Sequence, residues 1–497
     1  MGGTCSKEKS TTDIDLFRDE DSDKDTATEF DFSEEYAFDD LISKVFTVGS
    51  DIIENDARGV KCGRITHADK FTDCLGGTFL SIRYMSIRSN GKLFYPSQSN
   101  TVICEYENQK DLFKLHVRPL SLEEKEKLQT RGKKFVEYGL GAHYMMYADK
   151  LFAQGPCGTR QVRAEGRVMV DCASFLHFNP DSYGMEDARR YGDDEDAMWG
   201  GGSKTCSRVI PDGSLHLCWP TLCGFSFKAK RWGEIALHHL HDIKFSEDAF
   251  DMLVLEKGCK DLVHGLVKNI HKENQFTDII QGKGGGCSFL LRGPPGVGKT
   301  LTAEAVSEVL HRPLYCVGVG ELGVTPEMLE ERLKGILEIA EIWNAVVLID
   351  ECDIFLASRT KDDVLRNAMV GIFLRLLEYY DGILFLTSNR ADDLDEAFQS
   401  RVSVTVDYKA LDAQTREQIW RNLLTAASIE HDAESLGVNL LAQYKMNGRQ
   451  IKTAIRLATS LAEKDEESLT HKHLVQTIHY ASAELSNVGA SLQADTF

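Results

Sequence analysis

The eight residues GPPGVGKT at 293–300 constrain this chain more than any other stretch. They follow the apolar run SFLLR and precede KTLTAEAVSEVL, so the motif predicts a strand, a tight glycine turn and a helix in that order. Glycines let the backbone curl until consecutive N–H groups converge, and the helix N-terminus adds its positive dipole end at the same place. Such a cradle suits the phosphates of a nucleotide. The contacting run is read as Gly293, Pro294, Pro295, Gly296, Val297, Gly298, Lys299, Thr300 and Leu301. Lys299 is expected to reach the β- and γ-phosphates, and the Thr300 hydroxyl to ligate Mg²⁺.

About fifty residues on, AVVLIDECD reads as a buried apolar strand that ends in two acids. In an open parallel sheet both carboxylates emerge at the carboxyl edge, where the phosphate loop also lies. Asp350 is expected to hold Mg²⁺ with its water shell, and Glu351 to orient and polarise an attacking water. Asp353 reads as a helix cap. A third strand, GILFLTSN, ends in Asn389, a neutral amide suited to positioning that water.

From about Asp242 to the end, these residues resemble the AAA+ ATPases. GPPGVGKT is similar to Walker A, LIDECD to Walker B and TSN to the sensor 1 strand. AFQSRV resembles the arginine-finger region and puts Arg401 at the finger position, while NGRQIKTAI resembles the sensor 2 helix with Arg449 as its cation. The resemblance implies ATP and Mg²⁺ as cofactors and catalysis by Lys299, Glu351, Asn389 and Arg401. It also implies an αβα core with a parallel sheet, a helical C-terminal lid, and a homo-oligomeric ring, commonly a hexamer, in which the finger acts on a neighbour's γ-phosphate. A finer likeness, to AAA+ proteins of fungi and some protists whose N-terminal domain has no assigned activity, rests on RPLYCVGVGELG, RNAMVGIFLRLLEYYDGILFLTSNR, LHVRPLSLEEKEKLQTRGKKF and GRVMVDCASFLHFNP.

Two departures stand out. Rings that unfold proteins usually carry an aromatic-Gly pair after the second strand to grip a threaded chain, and here that region reads GELGVTPEMLEE. Walker B ends in Cys352 where Ala is common, leaving two readings open: a packed small thiol, or a redox or alkylation handle beside Glu351.

The rest of the 497 residues divides by pattern. Residues 11–40 hold 13 acidic side chains against Arg18 and Lys24, a surplus of 11 within a net charge of -20. Such a stretch buries too little apolar surface to order itself, and phosphate-binding surfaces need the opposite charge, so 1–40 reads as a disordered acidic tail and nucleic acid is not an expected partner. Residues 41–180 alternate strand and helix signals, including a capping box at Ser121 and Glu124, and read as a mixed α/β domain. Residues 181–241, acidic and Gly-rich at GDDEDAMWGGGSK, read as linker and connecting segment; 242–410 as the ATP-binding core; 411–497 as the lid.

Thirteen cysteines without C-x-x-C spacing suit reduced thiols, and neither Cys218 with Cys223 nor the group His238, His239 and His241 makes a convincing metal site. No apolar run is long enough to span a bilayer. MGGTCSKEKS instead fits N-myristoylation at Gly2, with palmitoylation at Cys5, and implies residence on the cytoplasmic side of a membrane. The function expected from these features is Mg²⁺-dependent ATP hydrolysis coupled to remodelling of an unidentified protein partner at that membrane. The alternative is a membrane-anchored, nucleotide-gated scaffold that binds partners without processing them.

Overall fold

In the computed structural model the described residues are 16, 35–107, 109–155, 158–180, 182, 206–269, 286–356, 364–390, 398, 400–427 and 436–481. Gly2, Cys5 and nearly all of the expected linker stretch 181–204 lie outside them. The chain forms two compact units, Met1–Ile243 and Lys244–Phe497.

The first unit is built on two antiparallel sheets. Strands β1 (Asp51–Asp56), β2 (Gly59–Thr72), β3 (Thr78–Ser89), β4 (Phe94–Cys104) and β5 (Val117–Pro119) pair in the order β4-β3-β2-β1-β5. The second sheet runs β8-β7-β11-β10-β9-β6-β12, from β6 (His143–Tyr147), β7 (Lys150–Gly155), β8 (Gly158–Arg163), β9 (Gly166–Val170), β10 (Thr221–Ser226), β11 (Arg231–Ala236) and β12 (Leu240–His241). Helix α1 (Leu122–Gly139) starts at the capping box of Ser121 and Glu124, as its sequence predicts, and a shorter helix α2 (Cys172–Phe178) follows β9. Gly132 sits in mid-helix because a Cβ there would come within 2.2 Å of the Leu215 carbonyl oxygen.

Two boundaries differ from expectation. Within the stretch expected to be a disordered tail, Leu16 is buried in the core of the first unit, Glu35–Tyr36 pairs with Lys110–Asp111, and Phe38 is buried with its ring edge-on to Tyr106. The segment expected to be linker and connection supplies, from residue 206, strands β10, β11 and β12, the first two inside the sheet. TLCGFS is buried at every position, so it has no alternation to mark it as a strand.

The second unit carries a five-stranded, all-parallel sheet in the order β14-β15-β16-β13-β17, from β13 (Cys287–Arg292), β14 (Leu314–Gly318), β15 (Val346–Asp350), β16 (Ile383–Ser388) and β17 (Val404–Asp407). Its central strands are continuous apolar runs, as expected where helices cover both faces of a parallel sheet. Phe289 and Phe385 stack across β13 and β16 at a ring separation of 4.7 Å. Helices α3 (Lys257–Asn269), α4 (Lys299–Val309), α5 (Pro326–Ile342), α6 (Asp353–Leu356) and α7 (Val364–Glu378) lie between or before these strands in the chain. After β17 the described elements are helices only: α8 (Ala413–Ala426), α9 (Val438–Leu441), α10 (Gly448–Lys464) and α11 (His471–Ala481). They close on their own core around Trp420, Ile451 and Leu474, which makes the lid a subdomain. The fold class is therefore the expected one: an α/β parallel core with a helical lid, preceded by an α/β region.

Candidate active site

The phosphate loop forms where the sequence places it, between β13 and α4. Gly293, Gly296 and Gly298 adopt φ of 142°, 77° and 108°, the region that favours glycine. Gly298 begins α4 with no side chain capping it, which leaves the first-turn N–H groups to a ligand. Close neighbours brace the loop: a Cβ on Gly293 would meet the Tyr408 carbonyl oxygen at 2.3 Å, and one on Gly296 would meet the Asn447 side chain at 2.6 Å. The lid joins at the same place, since Gly448 N–H at the start of α10 donates to Gly296 O at 2.8 Å.

Lys299 is buried, and its ammonium donates to Gly293 O at 2.6 Å, Pro294 O at 2.8 Å and Asn389 Oδ1 at 2.9 Å. Burial pushes its pKa below the ordinary lysine value, and Arg449 adds to this; Asp350, Asp353 and Glu351 pull the other way. The Thr300 hydroxyl lies 3.4 Å from Asp350 Oδ2 and 3.5 Å from Oδ1. Two hard oxygen donors at the edge of the phosphate cradle are the set that Mg²⁺ takes, so the residues present fit that ion. Asp353, expected to cap a helix, instead accepts Ser388 Oγ–H at 2.5 Å and Asn389 N–H at 3.2 Å, and so holds the loop that presents Asn389.

These groups face one cavity of about 450 Å³. Its walls include Lys299, Thr300, Leu301, Asp350, Glu351, Asn389 and Arg449. Sequence reasoning missed the far wall, where Leu253, Val254 and Leu255 face Ile419 and Leu423 of α8. Asn422 clips the two sides together by donating to Met252 O at 2.8 Å. An apolar slot beside a phosphate cradle suits a flat base, yet scattered Leu, Val and Ile carry no motif.

Arg401 is not in the cavity wall. Its guanidinium pairs with Glu378 at 3.3 Å, and its carbonyl accepts from Ser288 Oγ at 2.9 Å. Ser288 lies near the start of β13, whereas the phosphate loop leaves its end, and ~5 residues of strand separate the two by ~16 Å.

Cys352 is fully buried, and its thiol donates to Thr387 O at 3.0 Å. Burial pushes the thiol well above its usual range, so of the two readings the packed one holds.

Comparison with known proteins agrees with this geometry. Residues 289–409 match the model of the ATPase family associated with various cellular activities. The "Mitochondrial sorting homolog" of Caenorhabditis elegans is 27% identical over 250 residues, 44% of this chain and 71% of that protein. The "Vesicle-fusing ATPase" of Dictyostelium discoideum is 29% identical over 199 residues, 35% of this chain and 27% of that protein. The "Outer mitochondrial transmembrane helix translocase" of Bos taurus is 25% identical over 224 residues, 41% of this chain and 59% of that protein. Each match takes in less than half of this chain, and the last two span less than two thirds of the relative. With the phosphate loop, the paired acids and the lid already in place, residues 289–409 are an ATPase domain of this family, which uses ATP and Mg²⁺.

Proposed function

We propose that the chain works as a ring, commonly of six copies, in which Arg401 of one copy completes the ATP site of the next, and that hydrolysis remodels a protein partner at a membrane surface. One observation carries the ring: Lys299, Thr300, Asp350, Glu351, Asn389 and Arg449 share one cavity, while Arg401 lies at the other edge of the sheet. An arginine that stabilises transition-state charge has to reach the γ-phosphate, so from there it serves a neighbour.

Within one site the roles divide by chemistry. Lys299 and the phosphate-loop amides bind and orient the triphosphate, and Thr300 and Asp350 hold Mg²⁺, which offsets developing phosphate charge. Glu351 takes the proton from the attacking water, Asn389 positions that water, and Arg449 contributes charge from the lid.

Membrane residence rests on the acylation pattern at Gly2 and Cys5, on the cytoplasmic side. The sorting and translocase names of two relatives point to membrane-associated protein substrates. The described helices include none long and apolar enough to cross a membrane.

A second reading has its own support. The connection from β14 to α5 is short, is turned by a 3-10 segment at Val319–Glu321 and by Gly323 at φ 94°, and carries no aromatic side chain. A ring without that grip fits a nucleotide-gated scaffold that holds partners without threading them.

The test of the ring mixes Arg401→Ala subunits with Glu351→Gln subunits, each inactive alone. Mixed interfaces that join an intact finger to an intact base should recover turnover. Co-assembly without recovery would refute the trans role.

A further inference from the structure

Thr387 opens the TSN stretch and has been given no role so far, yet it touches two of the residues on which the chemistry depends. It is the penultimate residue of β16 and is 1% exposed. The ladder between β15 and β16 runs to Ile349↔Leu386. Beyond that rung the regular pairing of β15 with β16 ends, and Glu351 is held at φ 56°, a left-handed conformation that residues with a side chain rarely adopt.

Thr387 takes over where the ladder stops. Its hydroxyl accepts the Glu351 N–H at 2.9 Å and donates its own proton to Asp350 Oδ1. Its carbonyl accepts both the Cys352 N–H and the Cys352 thiol, each at 3.0 Å. A hydroxyl has one proton and two lone pairs, so both of its bonds form together. With Oδ1 held from the sheet side, Asp350 presents Oδ2 to the Thr300 hydroxyl at 3.4 Å.

We propose that Thr387 is a positioning residue of this ATPase: one oxygen atom sets the rotation of the Mg²⁺-side carboxylate, Asp350, and the backbone from which the base, Glu351, projects. The proposal rests on the roles given above to Asp350 and Glu351. The two functions of the residue are separable, because the Cys352 contacts use the backbone carbonyl of Thr387 and survive any side-chain change. Valine fills the same volume and removes only the hydroxyl. It leaves the Glu351 amide without its acceptor and frees Asp350 to turn.

The experiment compares the full-length chain with Thr387→Val, Thr387→Ser and Thr387→Ala. It reads kcat and KM for ATP, and separately the equilibrium affinity for ATP itself in Mg²⁺ and in EDTA. Misplacing catalytic groups by a fraction of an ångström predicts a fall in kcat of about 10- to 100-fold in Thr387→Val. The gain in ATP affinity that Mg²⁺ confers should shrink by about fivefold or more, with affinity in EDTA within about threefold of the parent. Thr387→Ser, which restores the hydroxyl, should recover both, a rescue that a packing role would not give.

Normal kcat and a normal Mg²⁺ gain in Thr387→Val would overturn the proposal, as would equal impairment of Thr387→Val and Thr387→Ser. If Thr387→Val fails to bind ATP in EDTA, the Ser and Ala variants, which differ by the hydroxyl alone, decide the matter. Equal kcat and equal Mg²⁺ gain in that pair overturn it, and a deficit confined to Thr387→Ala upholds it. Glu351→Gln is run beside them. Full turnover in that variant faults the assignment of the base, whereas the proposal fails only on the comparisons at position 387.

Discussion

Lys299 uses all three of its ammonium protons, on Gly293 O, Pro294 O and Asn389 Oδ1, so its position is set by the loop and by sensor strand β16 at once. The same is true of Cys352, whose thiol is spent on Thr387 O inside a fully buried site. Thiol chemistry needs the thiolate and access, and Cys352 has neither. Brief alkylation of the native protein should therefore modify the exposed Cys74 and Cys104 and leave Cys352 unmodified until the chain is unfolded, as peptide mass mapping would show. Labelling of Cys352 at the rate of Cys74 would contradict its packed role. The placement of Lys299 was legible in the sequence because phosphate geometry allows few spacings, and GPPGVGKT keeps to one of them. Thr387 and the slot formed by Leu253, Val254, Leu255, Ile419 and Leu423 were not legible. Their value comes from neighbours over 30 residues away in the chain, and each alone is an ordinary core residue.

At the scale of elements, helix α1 was legible down to its capping box, since a cap is a local bond between Ser121 and Glu124. Strands β10 and β11 were not, because full burial erases alternation and the Gly-rich stretch before them looked like the end of a domain. Their unit is tied together by Asp51 on β1, which accepts from Arg64 on β2 at 2.9 Å and pairs at 2.8 Å with the buried His216, 165 residues away. Burial raises the Asp51 pKa, but the hydrogen bonds and charges of His216 and Arg64 outweigh it, and the net shift is downward. A carboxyl whose folded pKa is depressed contributes stability that is present above its unfolded value, ~3.9, and is lost as pH falls through the folded value. Asp51→Asn, which leaves the Arg64 charge without its partner, should therefore cost ~3 kcal/mol near neutrality. The gap between parent and variant should persist down to about pH 5 and close below about pH 4. The measurement is the urea midpoint at which the buried Cys62 becomes open to an acid-tolerant disulfide reagent. A gap that widens as pH falls would reverse the sign of the argument.

For the whole molecule, the proposed assembly raises the question of how a ring of acidic subunits would stay at a membrane. A single myristoyl chain binds weakly, with an association constant of about 10⁴ M⁻¹, so a second signal is needed. Palmitate on Cys5 would supply one. Assembly would supply another, because several weak anchors on one particle act at high effective concentration. Gly2→Ala should thus release the protein from membranes. In a Cys5→Ser background, attachment should depend on ATP-driven assembly and fall further when Lys299→Ala is added. Flotation with vesicles, on protein whose N-terminal mass confirms myristate, checks both. Equal bound fractions with and without Lys299→Ala would remove assembly from the account, and unchanged binding of Gly2→Ala would remove the anchor.

The proposed function depends on one cavity binding ATP and on Glu351 at its edge doing the chemistry. The direct measurement is ATP binding and ATP cleavage on the same preparations of the parent, Lys299→Ala and Glu351→Gln. Losing a charge-assisted contact to phosphate should weaken ATP binding by about tenfold or more in Lys299→Ala. Glu351→Gln should bind ATP with parental affinity and cleave it at least about 100-fold more slowly, the range expected for removal of a general base. Cleavage at the parental rate by Glu351→Gln, with binding intact, would contradict the account.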